Sequence, residues 1–293
     1  MSSDKFTEFV ESDDWDNALT LISEGFDVNE VDEYEELPIE VILENYYLGS
    51  ETAPKVIEII LSLVESGAVF KTKSLIVKLF NACLPIKVME KIFNKTKFKI
   101  PADILSYIVD YGADIEYCEY MIEIVKFLEK VDFSFTSKNL GLAITNSFCE
   151  YQTGTPLDEL RQEKVSNILP VYDYLLSKGA DINIKTKEGH TALMRASMNY
   201  CPELSEFFIS KGAEINVQSD KGFTALMFAS GEIYKMCVWS NTEAGLMTVK
   251  ILLANNADPS LKNNNSRTAY SYAKSSKNTK VMSLLVDKGV GAN

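Results

Sequence analysis

Apolar residues in the second half of the chain recur in short blocks, and each block ends at a small or amide side chain. The blocks are "YLLSKGAD" (174–181), "FFISKGAE" (207–214) and "ILLANNAD" (251–258). A glycine or asparagine just after the last apolar residues is typical of a helix end, because these residues adopt the left-handed conformation most easily. The pattern therefore predicts three helices that each stop at such a turn.

A second apolar stretch follows each turn at a fixed distance. The interval from Gly179 to Gly212 equals the interval from Thr191 to Thr224, and these threonines open the following stretches. The interval from Gly212 to Asn256 is longer, which indicates an insertion into that repeat. A threonine at the start of an apolar stretch predicts a helix cap. The sequence thus predicts helix pairs that recur at a regular interval, which indicates a stacked repeat architecture.

The segments "GHTALMRAS" (189–197) and "GFTALMFAS" (222–230), together with the blocks above, resemble ankyrin repeats over residues 165–293. Ankyrin repeats contain a turn, an inner helix opened by T-P-L-H-x-A, and an outer helix. Here alanine stands at the proline position, and Met194 and Met227 replace the histidine. The resemblance implies an all-α solenoid of helix pairs, joined by short β-hairpin-like turns, in which each pair buries its apolar face against the next.

The pattern continues less clearly toward the N-terminus. Two blocks end at Gly25 and Gly67, and two segments without a closing glycine end near Lys97 and Val131. An alternative register uses "YGADIEY" (111–117) as a hairpin, but it leaves one helix unpaired. We therefore prefer the first register and keep the second open.

On the preferred register, the departures from the regular interval all fall between an inner and an outer helix. The insertions span about residues 46–54, 149–163 and 231–243. Insertions into repeats tend to map to one face, which supports this register. We predict a single domain over residues 1–293, with about eight stacked helix pairs. Its parts are N-terminal capping helices (1–24), internal repeats (25–267) and a C-terminal capping repeat (268–293).

Charge is distributed unevenly along the chain. The net charge is −13, and residues 1–60 hold 17 Asp and Glu against two Lys. Residues 71–99, in contrast, hold eight lysines and one glutamate. An acidic end repels nucleic acid and anionic lipid, so we expect neither as a partner.

Few residues in this sequence favour catalysis. The five cysteines are scattered, with none in a C-x-x-C pair, and the chain has one histidine, so zinc sites and disulfide frameworks are not expected. No phosphate-binding glycine motif is present. The acidic run at 29–40 lacks the spacing of a calcium loop and is interpreted as a solvated hairpin tip. His190 is predicted at an exposed hairpin tip, where the next two repeats have Phe223 and Arg267. We therefore predict no catalytic, cofactor-binding or metal-binding residue.

The remaining candidates form a surface for recognition. Solenoids bind partners on extended concave surfaces, and the ankyrin resemblance places the hairpin tips and the exposed side of the inner helices there. Phe223 is predicted either to anchor in a partner pocket or to pack along a neighbouring hairpin. The candidate contacts are Lys187, Glu188, His190, Met198, Asn199, Asp220, Lys221, Phe223, Glu232, Trp239, Asn264, Asn265 and Arg267.

The insertion at 231–245 holds Trp239, one of two tryptophans. Its residues are predicted either to continue the inner helix, with the tryptophan clamping the extension, or to provide a binding hot spot. Together with the other insertions it forms a possible second recognition edge.

The sequence as a whole predicts a monomeric, non-enzymatic protein that binds a protein partner and needs no cofactor. Two alternatives stay open: a microbial inhibitor or host-directed effector that uses the insertion edge, and an enzyme that uses a lone cysteine or carboxylates. The start "MSSDKFTEFV" lacks the basic and apolar regions of a signal peptide, and no apolar run is long enough for a membrane helix. A cytoplasmic location is expected, and secretion by a route independent of a signal peptide stays open.

Overall fold

The computed structural model describes residues 2–46, 51–102, 104–105, 115–146, 157–231 and 243–289. Within these ranges all regular secondary structure is α-helical and no strand is present. The chain divides into two compact units. The first consists of Met1–Ile104 and Glu119–Ser134, and the second of Leu105–Cys118 and Phe135–Asn293.

Within the described residues, the first unit contains the six helices α1 (Ser2–Glu11), α2 (Trp15–Ser23), α3 (Pro38–Glu44), α4 (Ala53–Glu65), α5 (Lys73–Asn81) and α6 (Ile86–Thr96) and, from Glu119 onward, most of α7 (Ile115–Lys130). The first helices of successive pairs, α1, α3 and α5, pack on one another, and so do the second helices, α2, α4 and α6. We call these rows the inner and the outer helices.

Aromatic rings join the last helix pairs of the first unit. Phe80 of α5 lies 6.4 Å from both Phe98 and Phe127, measured between ring centroids. Phe93 of α6 lies 5.4 Å from Phe98 and 5.9 Å from Phe127, in both cases edge to face. Ring pairs at these distances and angles stabilise a core beyond their area burial. They hold α5, α6 and α7 together.

The second unit repeats the two-row arrangement. Its helices are α8 (Ser137–Asn146), α9 (Leu157–Ser177), α10 (Ala192–Met198), α11 (Pro202–Ser210), α12 (Ala225–Ser230), α13 (Glu243–Ala254), α14 (Ala269–Ser275) and α15 (Thr279–Asp287). The inner helices α8, α10, α12 and α14 pack in sequence, as do the outer helices α11, α13 and α15.

The predicted threonine caps are present in the second unit. The hydroxyl oxygens of Thr191 and Thr224 accept hydrogen bonds from the amides of Met194 (3.3 Å) and Met227 (3.2 Å). A hydroxyl cap satisfies one of the amides that the first helical turn leaves without a partner. These contacts fix the starts of α10 and α12, as the sequence predicted.

Each outer helix is followed by a residue in the left-handed conformation. The residues and their φ angles are Gly25 (84°), Gly67 (99°), Lys97 (50°), Asp132 (56°), Gly179 (89°), Gly212 (90°), Asn256 (66°) and Gly289 (85°). The ends of α6 and α7 therefore lie at or next to the positions predicted near Lys97 and Val131. The alternative register places a hairpin at 111–117, but residues 115–117 belong to α7 and residues 111–114 lie outside the described residues.

Asparagine side chains connect one helix pair to the next. The Asn183 side chain donates to the carbonyl of Gly212 (3.4 Å) and accepts from the amide of Glu214 (2.8 Å). Asn29 and Asn216 make the same two bonds to the loops that follow their neighbouring outer helices. Since each loop is tied to the next, neighbouring pairs keep a fixed spacing.

The predicted insertions are described only in part. Residues 47–50, 147–156 and 232–242 lie outside the described residues. The C-terminal part of the second insertion is helical and forms the first turns of α9. The candidate contacts Glu232 and Trp239 also lie outside the described residues.

Candidate protein-binding surface

Four of the loops that enter inner helices, those before α3, α10, α12 and α14, share one tight turn, which we call the tip turn. In each tip turn a polar residue donates its backbone N–H to the carbonyl of the residue four positions later. The pairs are Asp32 and Glu36 (3.0 Å), Thr186 and His190 (2.8 Å), Ser219 and Phe223 (2.9 Å), and Asn263 and Arg267 (3.0 Å). The same geometry thus occurs in both units.

The side chain of the first residue closes each tip turn from inside. In the last turn, the side-chain oxygen of Asn263 accepts from the amides of Asn265 and Arg267, both at 3.0 Å. The Ser219 hydroxyl accepts from the amide of Phe223 at 3.1 Å. These bonds satisfy backbone donors that a loop would otherwise give to water, so the turns are rigid.

The first tip turn is closed by a buried carboxylate. One oxygen of Asp32 accepts from the amides of Tyr34 (2.9 Å) and Glu36 (3.0 Å), and the other accepts from the Thr7 hydroxyl (2.7 Å). Burial alone would raise the pKa of Asp32, but the hydrogen bonds from Glu36 and Thr7 outweigh it and the pKa lies below its usual value. Asp32 is therefore charged at neutral pH and holds this turn to α1.

Neighbouring tip turns of the second unit are bonded to one another. The Lys185 ammonium donates to the carbonyl of Gln218 (2.8 Å), and the Gln218 amide group donates to the carbonyl of Lys262 (2.9 Å). The Asn264 side chain donates to the carbonyl of Asp220 (3.1 Å). Three tips therefore form a continuous column, which we call the tip column.

Most of the predicted contacts on the tip column are accessible. The exposed candidates are Lys187, Glu188, Asp220, Lys221, Asn264 and Asn265. Met198, Asn199 and Arg267 are half-buried. All six residues of α12 are buried, so this inner helix adds no exposed side chain to the surface.

The expectation that His190 is exposed is wrong. Its side chain is 7% exposed and lies edge to face on Phe228 of the next repeat, with 5.3 Å between ring centroids. Burial, and next the positive charge of Arg195, lower the pKa of His190. The Nδ1 atom has no hydrogen-bond partner among the described residues. A neutral imidazole in this position is part of the packing between repeats.

Phe223 is also buried, which corrects its prediction as an exposed anchor. Its ring is 7% exposed and lies 5.3 Å from Phe228 and 5.6 Å from Tyr272. The alternative prediction was packing along a neighbouring hairpin, whereas both rings belong to inner helices, Phe228 to α12 and Tyr272 to α14. Arg267 lies 4.1 Å above the Tyr272 ring and donates to the carbonyl of Ser271 (3.3 Å), so its guanidinium is held on its own repeat.

The sequence analysis missed Tyr34, the most exposed large apolar side chain of the described residues, at 68%. Aligned on the tip-turn bonds, Tyr34 occupies the position of Glu188, Lys221 and Asn265. The signal was present, because Tyr34 stands between Glu33 and Glu35 in the acidic run at 29–40, and charged residues on both sides are typical of an exposed turn.

No cluster of three or more His, Cys, Asp and Glu side chains that could hold a metal is found among the described residues. The same residues contain no helix long and apolar enough to cross a membrane. Burial raises the pKa of the Cys83 thiol to about 11, and Cys201 is buried. A thiol with so high a pKa is protonated at neutral pH and is a weak nucleophile.

The comparisons with known proteins agree with the repeat geometry. Residues 164–239 match the family model for ankyrin repeats (3 copies). No curated protein matches the chain. The matched segment includes the tip turns that begin at Thr186 and Ser219.

Proposed function

On the basis of the ankyrin repeats in residues 164–239, we propose that this chain is a non-enzymatic protein that binds a protein partner through its tip column. Ankyrin repeats are in general protein–protein interaction modules. The family is typically non-enzymatic. The partner is proposed to lie across the tips of the second unit rather than on its inner helices.

The observation that carries this proposal is the bonding between successive tips. Lys185, Gln218 and Asn264 link three turns by side-chain hydrogen bonds, while neighbouring side chains remain exposed. A surface that is already ordered loses less conformational entropy on binding. The tip column therefore suits recognition of a folded or extended protein surface.

Burial divides the predicted contacts into two groups. The proposed direct contacts are Lys187, Glu188, Asp220, Lys221, Asn264 and Asn265, with Met198, Asn199 and Arg267 at the margin. His190 and Phe223 are proposed to support the column from below, because both pack on Phe228.

We also propose that the repeat extends over about eight helix pairs. Support comes from the eight left-handed residues that follow outer helices and from the tip turn of the first unit, which has the same bond as those of the matched segment. That the pairs form a single domain stays a prediction.

The alternative functions have less support. The insertion edge proposed for an inhibitor or effector falls largely outside the described residues. An enzyme built on a lone cysteine would need an accessible thiolate; of the cysteines whose side chains the structure describes, Cys83 has a raised pKa and Cys201 is buried.

The test is affinity capture of a partner from the source cells, followed by titration calorimetry with the identified protein. The column variant replaces Glu188, Lys221 and Asn265 with alanine. We expect its affinity to fall at least about tenfold, while the melting temperature changes by no more than about 1 °C, because these side chains are exposed.

A matched control carries the same three residue types on exposed positions of the outer helices (Glu206 and Lys250) and just after one of them (Asn255), each replaced with alanine. The control should bind as the wild type does. An equal loss of affinity in both variants, or an unchanged affinity in the column variant, would remove the tip column from the proposal.

A further inference from the structure

Helix α6 presents a column of lysines on its exposed face. Lys87, Lys91 and Lys95 are exposed and follow one another at four-residue spacing. Residues four apart share one face of a helix, and a rise of about 1.5 Å per residue separates neighbouring lysines by about 6 Å along the axis. The opposite face buries Met89 and Ile92. Because α6 is fixed by this packing, the column faces solvent.

Carboxylates in the same part of the fold do not neutralise the column. Glu90, the one acidic residue of α6, forms an ion pair with Lys130, with 2.7 Å between the carboxylate oxygen and the ammonium nitrogen. Among the described residues, no ion pair involves Lys87, Lys91 or Lys95. The positive charge of this face is therefore available to a partner.

The arrangement of the lysine column carries a cost for its own helix. Like charges four residues apart on a helix repel one another. Lys87 lies in the first turn of α6, where the helix dipole disfavours a cation, whereas Lys95 lies in the last turn, where the dipole favours one. The repulsion between the lysines is not offset by an ion pair of theirs within the described residues. Local features that oppose stability are expected at functional sites.

We propose that Lys87, Lys91 and Lys95 bind an extended acidic segment of a partner protein. In an extended strand, every second side chain lies on the same face, at a separation of about 6.6 Å. This distance is close to the spacing of the lysines along α6. A segment with Asp or Glu at alternate positions therefore places one carboxylate opposite each lysine.

The surroundings of the column favour a short acidic segment over a long polyanion. Helix α4 packs directly on α6 and carries exposed Glu58 and Glu65. A nucleic acid or an anionic membrane extends beyond the column toward α4 and its carboxylates, whereas a segment with three alternating carboxylates is only about as long as the column. The lysine column should therefore bind short acidic segments in preference to long polyanions.

The test uses the full chain and a synthetic peptide in which glutamate and serine alternate. Binding is measured by fluorescence anisotropy at low and at physiological ionic strength. We expect binding that weakens as salt increases, because exposed charges are screened. Replacing Lys87, Lys91 and Lys95 with glutamate should reduce the affinity by at least about tenfold, since three attractive pairs become repulsive.

A control variant replaces Lys250, Lys274 and Lys288, exposed lysines of the second unit, with glutamate. It changes the net charge equally and should bind the peptide within about twofold of the wild type, because none of these lysines belongs to α6 and exposed charges are screened by salt. If the glutamate variant does not fold, as judged by circular dichroism, the glutamine variant of the same three lysines is used, with a loss of at least about threefold expected.

Three results would overturn the proposal: an equal loss in the column and control variants, an unchanged affinity in the column variant, or tighter binding of RNA or phosphatidylserine vesicles than of the peptide at the same ionic strength. The proposal is independent of the tip column, because the variant with alanine at Glu188, Lys221 and Asn265 leaves α6 intact. Loss of one binding activity without the other distinguishes the two surfaces.

Discussion

Replacing Phe223 with alanine is expected to destabilise the second unit rather than to remove a partner contact. The ring is 7% exposed and lies between Phe228 of its own inner helix and Tyr272 of the next one. Truncation would leave a cavity that both repeats line. Helices α12 and α14 would lose an aromatic ring that contacts both of them.

The magnitude follows from the burial. Removing a buried phenylalanine side chain costs about 3–5 kcal/mol, which combines the lost transfer free energy with the cavity term. The free energy of unfolding of a natural domain is about 5–15 kcal/mol in total. We therefore expect Phe223→Ala to lower the free energy of unfolding by about 3 kcal/mol or more, which is a large fraction of the whole.

The measurement is urea unfolding followed by circular dichroism, with Lys221→Ala as the control. Lys221 is exposed and lies two residues away on the same tip turn, so its replacement should stay within about 0.5 kcal/mol of the wild type. Because repeat arrays sometimes unfold in steps, hydrogen exchange of the amides in α12 and α14 identifies where stability is lost.

A loss below about 1 kcal/mol for Phe223→Ala would refute the reasoning, since such a value is typical of exposed positions. If that variant also bound the captured partner more weakly, Phe223 would be the exposed anchor that the sequence first indicated. Comparing Phe223→Ala with Lys221→Ala therefore distinguishes a residue that stabilises the tip turn from a residue that contacts the partner.

Two further predictions test the packing of the tips. Burial and the charge of Arg195 lower the pKa of His190 in the folded protein. As the pH drops below about 6.5, the unfolded state therefore binds a proton at this histidine before the folded state does. The free energy of unfolding should then fall by at most about 1.4 kcal/mol per pH unit. Melting temperatures measured from pH 5 to pH 7.5 should depend less on pH in His190→Phe than in the wild type. An equal pH dependence in the two proteins would contradict this prediction. Gly222→Ala should destabilise the protein by about 1–3 kcal/mol more than Gly212→Ala in urea unfolding. Both glycines have positive φ, but a Cβ at Gly222 would lie 2.7 Å from Asn264 Oδ1, whereas one at Gly212 meets no atom within 4 Å; equal losses would contradict this prediction.

The sequence predicted the helix ends well because those ends depend on single residues. Gly179, Gly212 and Asn256 adopt the left-handed conformation that their residue types favour. Thr191 and Thr224 accept the expected amide bonds. In each case the residue that predicts the helix end lies within a few residues of the backbone groups it bonds or the turn it forms. Local propensity therefore decides where the helix begins or ends.

The burial of the tip residues could not be predicted in the same way. His190, Phe223 and Arg267 share one position, and their different chemistry indicated an exposed column. In the structure each side chain lies on an aromatic ring of an inner helix: His190 on Phe228, Phe223 on Phe228 and Tyr272, and Arg267 on Tyr272. The ring that the same or the next inner helix supplies decides which residue type packs well at this position. For His190 that ring belongs to the following repeat, so the turn's own sequence does not contain the information.

The bonds between repeats carry more information about the N-terminal region than the helix caps do. The first tip turn is followed by Leu37, which has no side-chain oxygen to cap α3, so this repeat departs from the threonine pattern. Asn29 nevertheless bonds to Gly67 and Val69 as Asn183 bonds to its own neighbours. A helix pair of this type cannot bury its apolar face alone and needs the next pair. A residue that fixes the spacing of two pairs is therefore a sign of the repeat even where the cap is absent, and the bonds of Asn29 support the proposal that the repeat extends into the first unit.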